Sequence, residues 1–373
     1  MTSPSYDFFL ICLPGLEDYA LKELELKKDL YEQELFHLKK TSGGIEFSTH
    51  ELTQGFNVNH YSRIGTRLLL RIDQFKARDF PKLFNKLKKI NWNEYISGST
   101  PDLVFHAQNS KIFDERKAKK CLHDAMEAVF AANAPKKKYL ENPWQTNPKV
   151  YMRFMDDTCT LSIDTTGERI DKRGHKLLSA KAPIRESIAA AMCLHNKELM
   201  SKQLHFSKFK SVVDPMCGSG TLLLEYPNCF DINYDRYFLY QDFPKIQLKK
   251  IRVENQQDFK IIGRDLSAEN IESAKKNAIN SSIENFDFNE VDLFKNNEDY
   301  SQSLVVINPP YNKRIKVETN IHNFINRVIE HLVQKNQARL ISLVMPETFK
   351  LEVPKNMKLI VSKSINNGGI NVK

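Results

Sequence analysis

The chain has 373 residues, a mean hydropathy of −0.47 and a net charge of +9. At roughly 100–200 residues per domain, that length predicts two or three domains. No apolar run approaches the ~20 residues of a membrane helix, and 13 Gly, 15 Pro and 6 Cys exclude collagen-like, disordered and disulfide-scaffold classes.

In chain order, Phe8–Leu13 reads as a buried strand stopped by Pro14-Gly15. Asp7 precedes it and the run is short, so a secretory leader is not expected. Leu16, Ala20, Leu21 and Leu24 have helix spacing. Gly43-Gly44 opens a strand at Ile45–Phe47, and Thr53–Thr66 looks helical. In the strand Arg67–Phe75, Leu68, Leu70 and Ile72 are expected on one face and Arg67, Arg71 and Asp73 on the other. Phe80–Ile90 reads as a basic amphipathic helix, Leu103–Gln108 as a strand and Arg116–Ala132 as a helix. Val150–Phe154 and Thr160–Asp164 are further strands. This β-α-β-β-α-β rhythm predicts an α+β domain with helices on one face of a mainly antiparallel sheet. Pro183–Met200 is an Ala-rich connecting helix. After Ser211 the texture changes. The apolar strands Val212-Val213, Lys260–Ile262, Phe288–Val291 and Leu304–Ile307 each end in a polar residue. That is an α/β pattern with a parallel sheet, whose ligands sit at the carboxyl ends of the strands.

The charge is uneven. Residues 161–210 hold 10 basic and 5 acidic residues, and further clusters lie at Lys82–Lys89, Arg116–Lys120 and Lys136–Lys138. A focused positive region between nearly balanced halves favours a polyanion such as nucleic acid. No basic helix carries a matching apolar face for a membrane. The cysteines, Cys12, Cys121, Cys159, Cys193, Cys217 and Cys229, form no CxxC pair. Neither zinc nor a disulfide framework is expected, and a reducing cytoplasm is.

Four strand ends carry the chemistry. Asp214-Pro215-Met216-Cys217-Gly218-Ser219-Gly220-Thr221 is a strand feeding a tight Gly turn, where backbone approaches a ligand closely. It is neither GxGxxG nor GxxxxGK[ST], which weakens dinucleotide and P-loop readings. Asp265 ends the next strand and can accept both ribose hydroxyls of a nucleoside. Asp292 follows the third, placed for an adenine amino group, although a lone Asp there is more often a helix cap. Asn308-Pro309-Pro310-Tyr311 leaves the Asn308 amide oxygen and the Pro309 carbonyl as convergent acceptors for an exocyclic amine. Tyr311 offers a ring to stack on a flipped base.

The octapeptide Asp214–Thr221 with Asn308–Tyr311 resembles the class I S-adenosylmethionine-dependent methyltransferases acting on exocyclic amines. Leu13–Glu17, Arg63–Arg71, Gly167–Gly174 and Ala182–Glu186 further resemble the RlmL-type, THUMP-containing guanine-N2 RNA methyltransferases, over nearly the whole chain to Asn367-Gly368-Gly369. The resemblance implies a ferredoxin-like segment (1–60), a THUMP RNA-binding domain (61–166), a basic linker and helix (167–208) and a Rossmann-like methyltransferase domain (209–373). It implies S-adenosylmethionine as cofactor and RNA as partner, 23S rRNA before tRNA. By the same resemblance, Asp214, Cys217, Gly218, Ser219, Gly220, Asp265, Leu266, Asp292 and Leu293 would hold the cofactor. Asn308, Pro309, Pro310 and Tyr311 would hold the target guanine, and Lys136, Lys137, Lys138, Lys172, Arg173 and Arg185 would touch RNA. Two departures stand out: Asn312 replaces the usual Gly after NPPY, and the second activity of longer fused relatives, which make 7-methylguanosine in a further methyltransferase domain, is not expected. An N6-adenine methyltransferase and a non-catalytic RNA-binding assembly factor remain alternatives.

Overall fold

The structure is a computed structural model that describes residues 5–96, 100–132, 147–174, 177–178, 184–202, 209–232, 234–243, 246, 250–251, 259–310, 321–360, 362–367 and 370–373. The chain forms two compact units. One comprises Met1–Cys12, Leu24–Ile170 and Ile232–Arg252. The other comprises Leu13–Glu23, Asp171–Asp231 and Val253–Lys373. The unit boundaries therefore depart from the four expected segments. Residues 13–23 and 232–252 each belong with sequence-distant partners, which local composition does not register.

The first unit begins with β1 (Tyr6–Cys12), the part of α1 (Glu17–Leu30) from Leu24 onward, β2 (Phe36–Thr41), β3 (Gly44–Thr49), α2 (Leu52–Tyr61) and β4 (Gly65–Lys76). It continues with α3 (Phe80–Leu87), β5 (Asp102–Gln108), α4 (Glu115–Ala132), β6 (Lys149–Met155) and β7 (Thr158–Asp164). One seven-stranded sheet, ordered β2-β3-β1-β4-β7-β6-β5, joins them all. Only the β5–β6 pair is parallel. The expected β-α-β-β-α-β unit is there, but it closes with β4 and so runs past residue 60. The helix expected over Thr53–Thr66 ends at Tyr61. Gly65 then starts β4, its amide bonded to Ser62 Oγ at 3.1 Å, and a Cβ there would meet Leu10 Cδ1 at 2.5 Å.

β4 also departs from simple alternation. Its pairing with β7 shifts register between Arg71 and Asp73, so Ile72 is a bulge and the inward phase moves. Leu68 and Leu70 are buried before the bulge and Phe75 after it, while Ile72 is only half-buried. Leu69 is buried as well, because both faces are covered at that point. The expected polar face is a set of ion pairs. Arg67 pairs with Asp164 and donates to the Gly167 carbonyl at 2.8 Å. Burial raises the Asp164 carboxyl above its usual range, and Arg67 opposes that rise.

The second unit holds α5 (Glu186–Lys202), β8 (Ser211–Asp214), α6 (Thr221–Glu225), β9 (Lys260–Asp265), α7 (Ala268–Asn280), β10 (Phe286–Glu290), β11 (Ser303–Ile307), α8 (Ile321–Gln334) and β12 (Leu340–Leu343). A two-stranded hairpin follows, β13 (Ile365–Asn367) and β14 (Ile370–Val372). The five-stranded sheet has order β10-β9-β8-β11-β12, all parallel. Val212, Val213, Leu304, Val305, Val306 and Ile307 are fully buried, as expected for central strands covered on both faces. α7 begins at the Ser267 cap, which accepts from the Asn270 amide. Among the described residues no helix is long and apolar enough to cross a membrane.

Candidate active site

The strand order reverses between β8 and β11. In open α/β sheets that switch point opens a crevice beyond the strand carboxyl ends. Both expected loops emerge there from adjacent strands: 214–221 from β8 and 308–310 from β11.

Asp214 ends β8 fully buried, and its Oδ1 accepts from the Met216 amide at 3.0 Å. Burial, with the nearby Asp265 charge, pushes its carboxyl up to about 8. Gly218 (φ 54) and Gly220 (φ 86) take left-handed backbone, which L side chains resist by roughly 1–2 kcal/mol. The turn is tied on both sides. The Cys217 amide donates to the Arg264 carbonyl at 2.9 Å, and the Gly218 amide donates to Asp265 Oδ2 at 2.9 Å. Cys217 is buried, and burial beside Asp214 and Asp265 pushes its thiol up, so it is neutral packing rather than a nucleophile. Ser219 is buried, and its Oγ has no hydrogen-bond partner among the described residues.

Asp265 serves the protein as well as any ligand. Besides Gly218, its Oδ1 accepts from the Ser267 amide and from Asn270 Nδ2, both at 3.0 Å. Next to it, Leu266 is 69% exposed, an apolar side chain left bare at a strand end. Asp292 caps a short helical turn, accepting from the Phe294 amide at 3.0 Å. Leu293 is 3% exposed inside the core cluster with Val213, Tyr300, Val305 and Ile307, so the turn after Asp292 directs its side chain into the sheet's apolar layer.

Asn308 follows β11. Its Oδ1 is buried with no hydrogen-bond partner among the described residues. An orphaned amide oxygen costs roughly 1–3 kcal/mol, a cost that a donor entering the site would remove. Pro309 is buried and Pro310 exposed. Tyr311 and Asn312 lie outside the described residues, as do Lys136, Lys137 and Lys138.

The cationic set divides. Lys172 is exposed and Arg185 half-buried at the start of α5. Arg173 is spent internally: its guanidinium lies 3.3 Å from Glu225, with side chains 7% and 5% exposed. The expectation that Arg173 touches RNA is corrected accordingly. A buried guanidinium answering a buried carboxylate holds α6.

Two positioning residues escaped the sequence reading. Asn277, fully buried on α7, donates to the Ser219 carbonyl at 3.0 Å and to the Leu178 carbonyl at 2.9 Å. Its Oδ1 accepts from the Leu177 and Leu178 amides. Arg264 donates to Glu298 at 2.8 Å and to the Asp287 carbonyl at 2.8 Å, clamping β9 to β10. Asn277 did leave a signal, since it interrupts the buried stripe of Ile271, Ala274 and Ala278.

Sheet order and loop positions define a class I methyltransferase fold. A family model described as "UPF0020: RMKL-like, methyltransferase domain" matches residues 173–371, and the chain belongs to that family. The chain is 26% identical over 281 residues to "Ribosomal RNA large subunit methyltransferase K/L" of Aliivibrio fischeri (strain MJ11), covering 69% of the chain and 38% of that relative. It is 27% identical over 332 residues to the protein of that name from Psychromonas ingrahamii, covering 83% and 42%. The chain thus spans about two fifths of the length of these curated relatives. Among solved structures, SMU.472 in complex with S-adenosylhomocysteine (SAH) superposes with TM-score 0.76 at 21% identity, over 100% of this chain and 97% of the other. TrmN from Thermus thermophilus superposes with TM-score 0.68 at 15% identity, over 98% and 97%.

The crevice fits S-adenosylmethionine, the cofactor that the sequence leads one to expect. Left-handed backbone at Gly218 and Gly220 leaves a cradle, the carboxyl groups of Asp214 and Asp265 would answer a cationic, hydroxyl-bearing ligand, and the exposed Leu266 would offer it an apolar wall.

Proposed function

We propose that this chain methylates the exocyclic N2 amine of a guanosine in RNA, 23S rRNA before tRNA. The observation that carries the reading is the buried Asn308 Oδ1, without a hydrogen-bond partner among the described residues, beside the Gly turn at the switch point. The names of the curated relatives support RNA as the substrate class.

In this reading the 217–220 backbone and Asp214 hold the methionine part of the cofactor, Asp265 the ribose hydroxyls and Asp292 the adenine. When bound, the cofactor supplies an electrophilic sulfonium methyl. Asn308 Oδ1 and the Pro309 carbonyl accept hydrogen bonds from the two N–H groups of the target amine. An aromatic amine is a weak nucleophile because its lone pair is delocalised into the ring. Two acceptors favour pyramidal nitrogen and stabilise the charge that develops on it. The proton leaves after the methyl has arrived, so no strong base is needed before attack. Tyr311 stacks on the guanine. Lys172 and Arg185 contact phosphate, and the first unit selects the RNA mainly by backbone and shape.

The test is incubation with isotopically labelled S-adenosylmethionine and separated unmodified rRNA and tRNA, followed by nucleoside mass spectrometry. Label in N2-methylguanosine from rRNA is expected. The same nucleoside from tRNA moves the target. Label in N6-methyladenosine overturns the base assignment, and no transfer with no cofactor binding overturns the enzyme.

A further inference from the structure

The two basic clusters at Lys82–Lys89 and Arg116–Lys120 play no part in the site above. They lie in the first unit on α3 and α4, which pack against one another. From Lys76 to Lys120 the chain holds 11 basic and 5 acidic residues. At the edge of this surface stands Phe113, 77% exposed, while the adjoining Ile112 is buried. No other large hydrophobic side chain among the described residues is as exposed. Its chain neighbours are Ser110, Lys111, Asp114, Glu115 and Arg116. It is a lone ring among charges rather than part of the wider apolar patch that a protein interface presents.

The loop that carries Phe113 is fixed from below by Asp157, in the tight turn between β6 and β7. Asp156 (φ 50) and Asp157 (φ 61) are both left-handed. Asp157 Oδ1 accepts from the Lys111 amide at 2.8 Å, and Oδ2 accepts from Arg78 Nε at 2.8 Å. The Asp157 amide donates to Ser110 Oγ at 3.0 Å, and its carbonyl accepts from the Ala77 amide at 3.0 Å. Asp114 folds back to accept from the Lys117 amide at 3.1 Å and pairs with Lys117 Nζ at 3.7 Å. One carboxylate thus joins three chain segments and holds two cationic residues on one rim. The Arg78 side chain remains 69% exposed there, and Lys111 is exposed.

An exposed ring on a loop that also carries exposed cations is the arrangement that grips single-stranded nucleic acid: bases stack on the ring and phosphates meet the cations. We propose that Phe113, Arg78 and Lys111 form a stacking and phosphate platform for an unpaired RNA segment, with the cations of α3 and α4 tracking its backbone. Asp157 is a positioning residue that sets the spacing between ring and cations. The inference rests on the RNA reading above and adds where an unpaired strand is held.

The experiment uses the full chain and a short fluorescein-labelled single-stranded RNA, followed by anisotropy across a salt series, with a fully paired RNA of equal length beside it. Loss of one stacked base weakens binding by roughly 5- to 150-fold, so Phe113→Ala is expected to weaken single-strand binding within that range and paired RNA far less. Phe113→Trp should restore affinity, with its indole emission quenched on titration. Arg78→Ala and Lys111→Ala should each lower the salt slope by about one. All are surface changes, and an unchanged melting temperature verifies the fold. Equal affinity of Phe113→Ala and the parent for the single strand overturns the platform. If labelled methyl still reaches RNA in that case, the RNA reading stands alone. If Phe113-dependent binding persists while the parent methylates no RNA, the platform stands and the RNA reading fails. Loss confined to a protein partner, with RNA binding intact, also overturns the platform.

Discussion

The buried carboxyl of Asp214 should couple cofactor binding to a proton. Burial raises it from an ordinary 3.8 to about 8. At pH 7 it is then about nine-tenths protonated in the free protein. A raised carboxyl contributes stability that is fully present below about pH 4 and is lost as pH rises through about 8. The difference in proton affinity corresponds to a ceiling of ~6 kcal/mol. Relaxation around the charge trims this, and a fall of at least ~2 kcal/mol between about pH 5 and pH 8 is expected. S-adenosylmethionine carries an ammonium and a sulfonium, and so favours ionised Asp214. Its affinity should rise with pH, by up to about tenfold per unit below the carboxyl's midpoint, and binding near neutrality should release close to one proton. Calorimetry in buffers of different ionisation enthalpy measures that release directly. Asp214→Asn keeps an oxygen for the Met216 amide but cannot titrate. It should abolish the proton release and flatten the pH dependence of the melting temperature. A parent protein whose cofactor binding is independent of buffer and pH, or a variant with the parent's melting slope, would refute the reasoning.

Asn308→Ala should lower methyl transfer by at least about 10²-fold, by analogy with removal of one preorganised transition-state contact, while RNA affinity is retained. Near-normal turnover would end its assignment. Gly220→Ala forces a side chain into left-handed backbone and should weaken cofactor binding, seen by equilibrium dialysis, with a stability cost of roughly 1–2 kcal/mol. Gly263→Ala puts a Cβ within 2.7 Å of the Phe288 ring, and overpacking of roughly 1–3 kcal/mol should lower the melting temperature. Arg173→Ala leaves Glu225 buried without its guanidinium. It should destabilise by roughly 3–5 kcal/mol while leaving the salt slope of RNA binding unchanged, the reverse of what a phosphate contact gives.

Local pattern made much of this protein legible. Strands β1, β3, β8 and β11 are short apolar runs bounded by turn residues, and α7 carries its own cap, so their existence follows from nearest neighbours alone. The placement of Asp214, Gly218, Gly220, Asp265 and Asn308 at or just beyond strand ends was legible too. A parallel sheet confines ligand chemistry to its carboxyl edge, and a polar residue closing an apolar strand has few other reasons to be there. What the tertiary structure decided depends on partners distant in sequence. The Ile72 bulge, which reverses the inward phase of β4, exists only because β7 pairs with it. Arg173 looked like an RNA contact from its charge. The carboxylate of Glu225 claims it instead, and that neighbour is distant in the chain. Asp157 looks unremarkable in sequence and Asn277 shows only as a break in an apolar stripe, yet each gathers backbone groups from separate segments, because a buried or rim-bound polar atom must be satisfied wherever its donors lie. Sequence by itself determined which residues could do chemistry. Packing decided which of them had side chains left to do it.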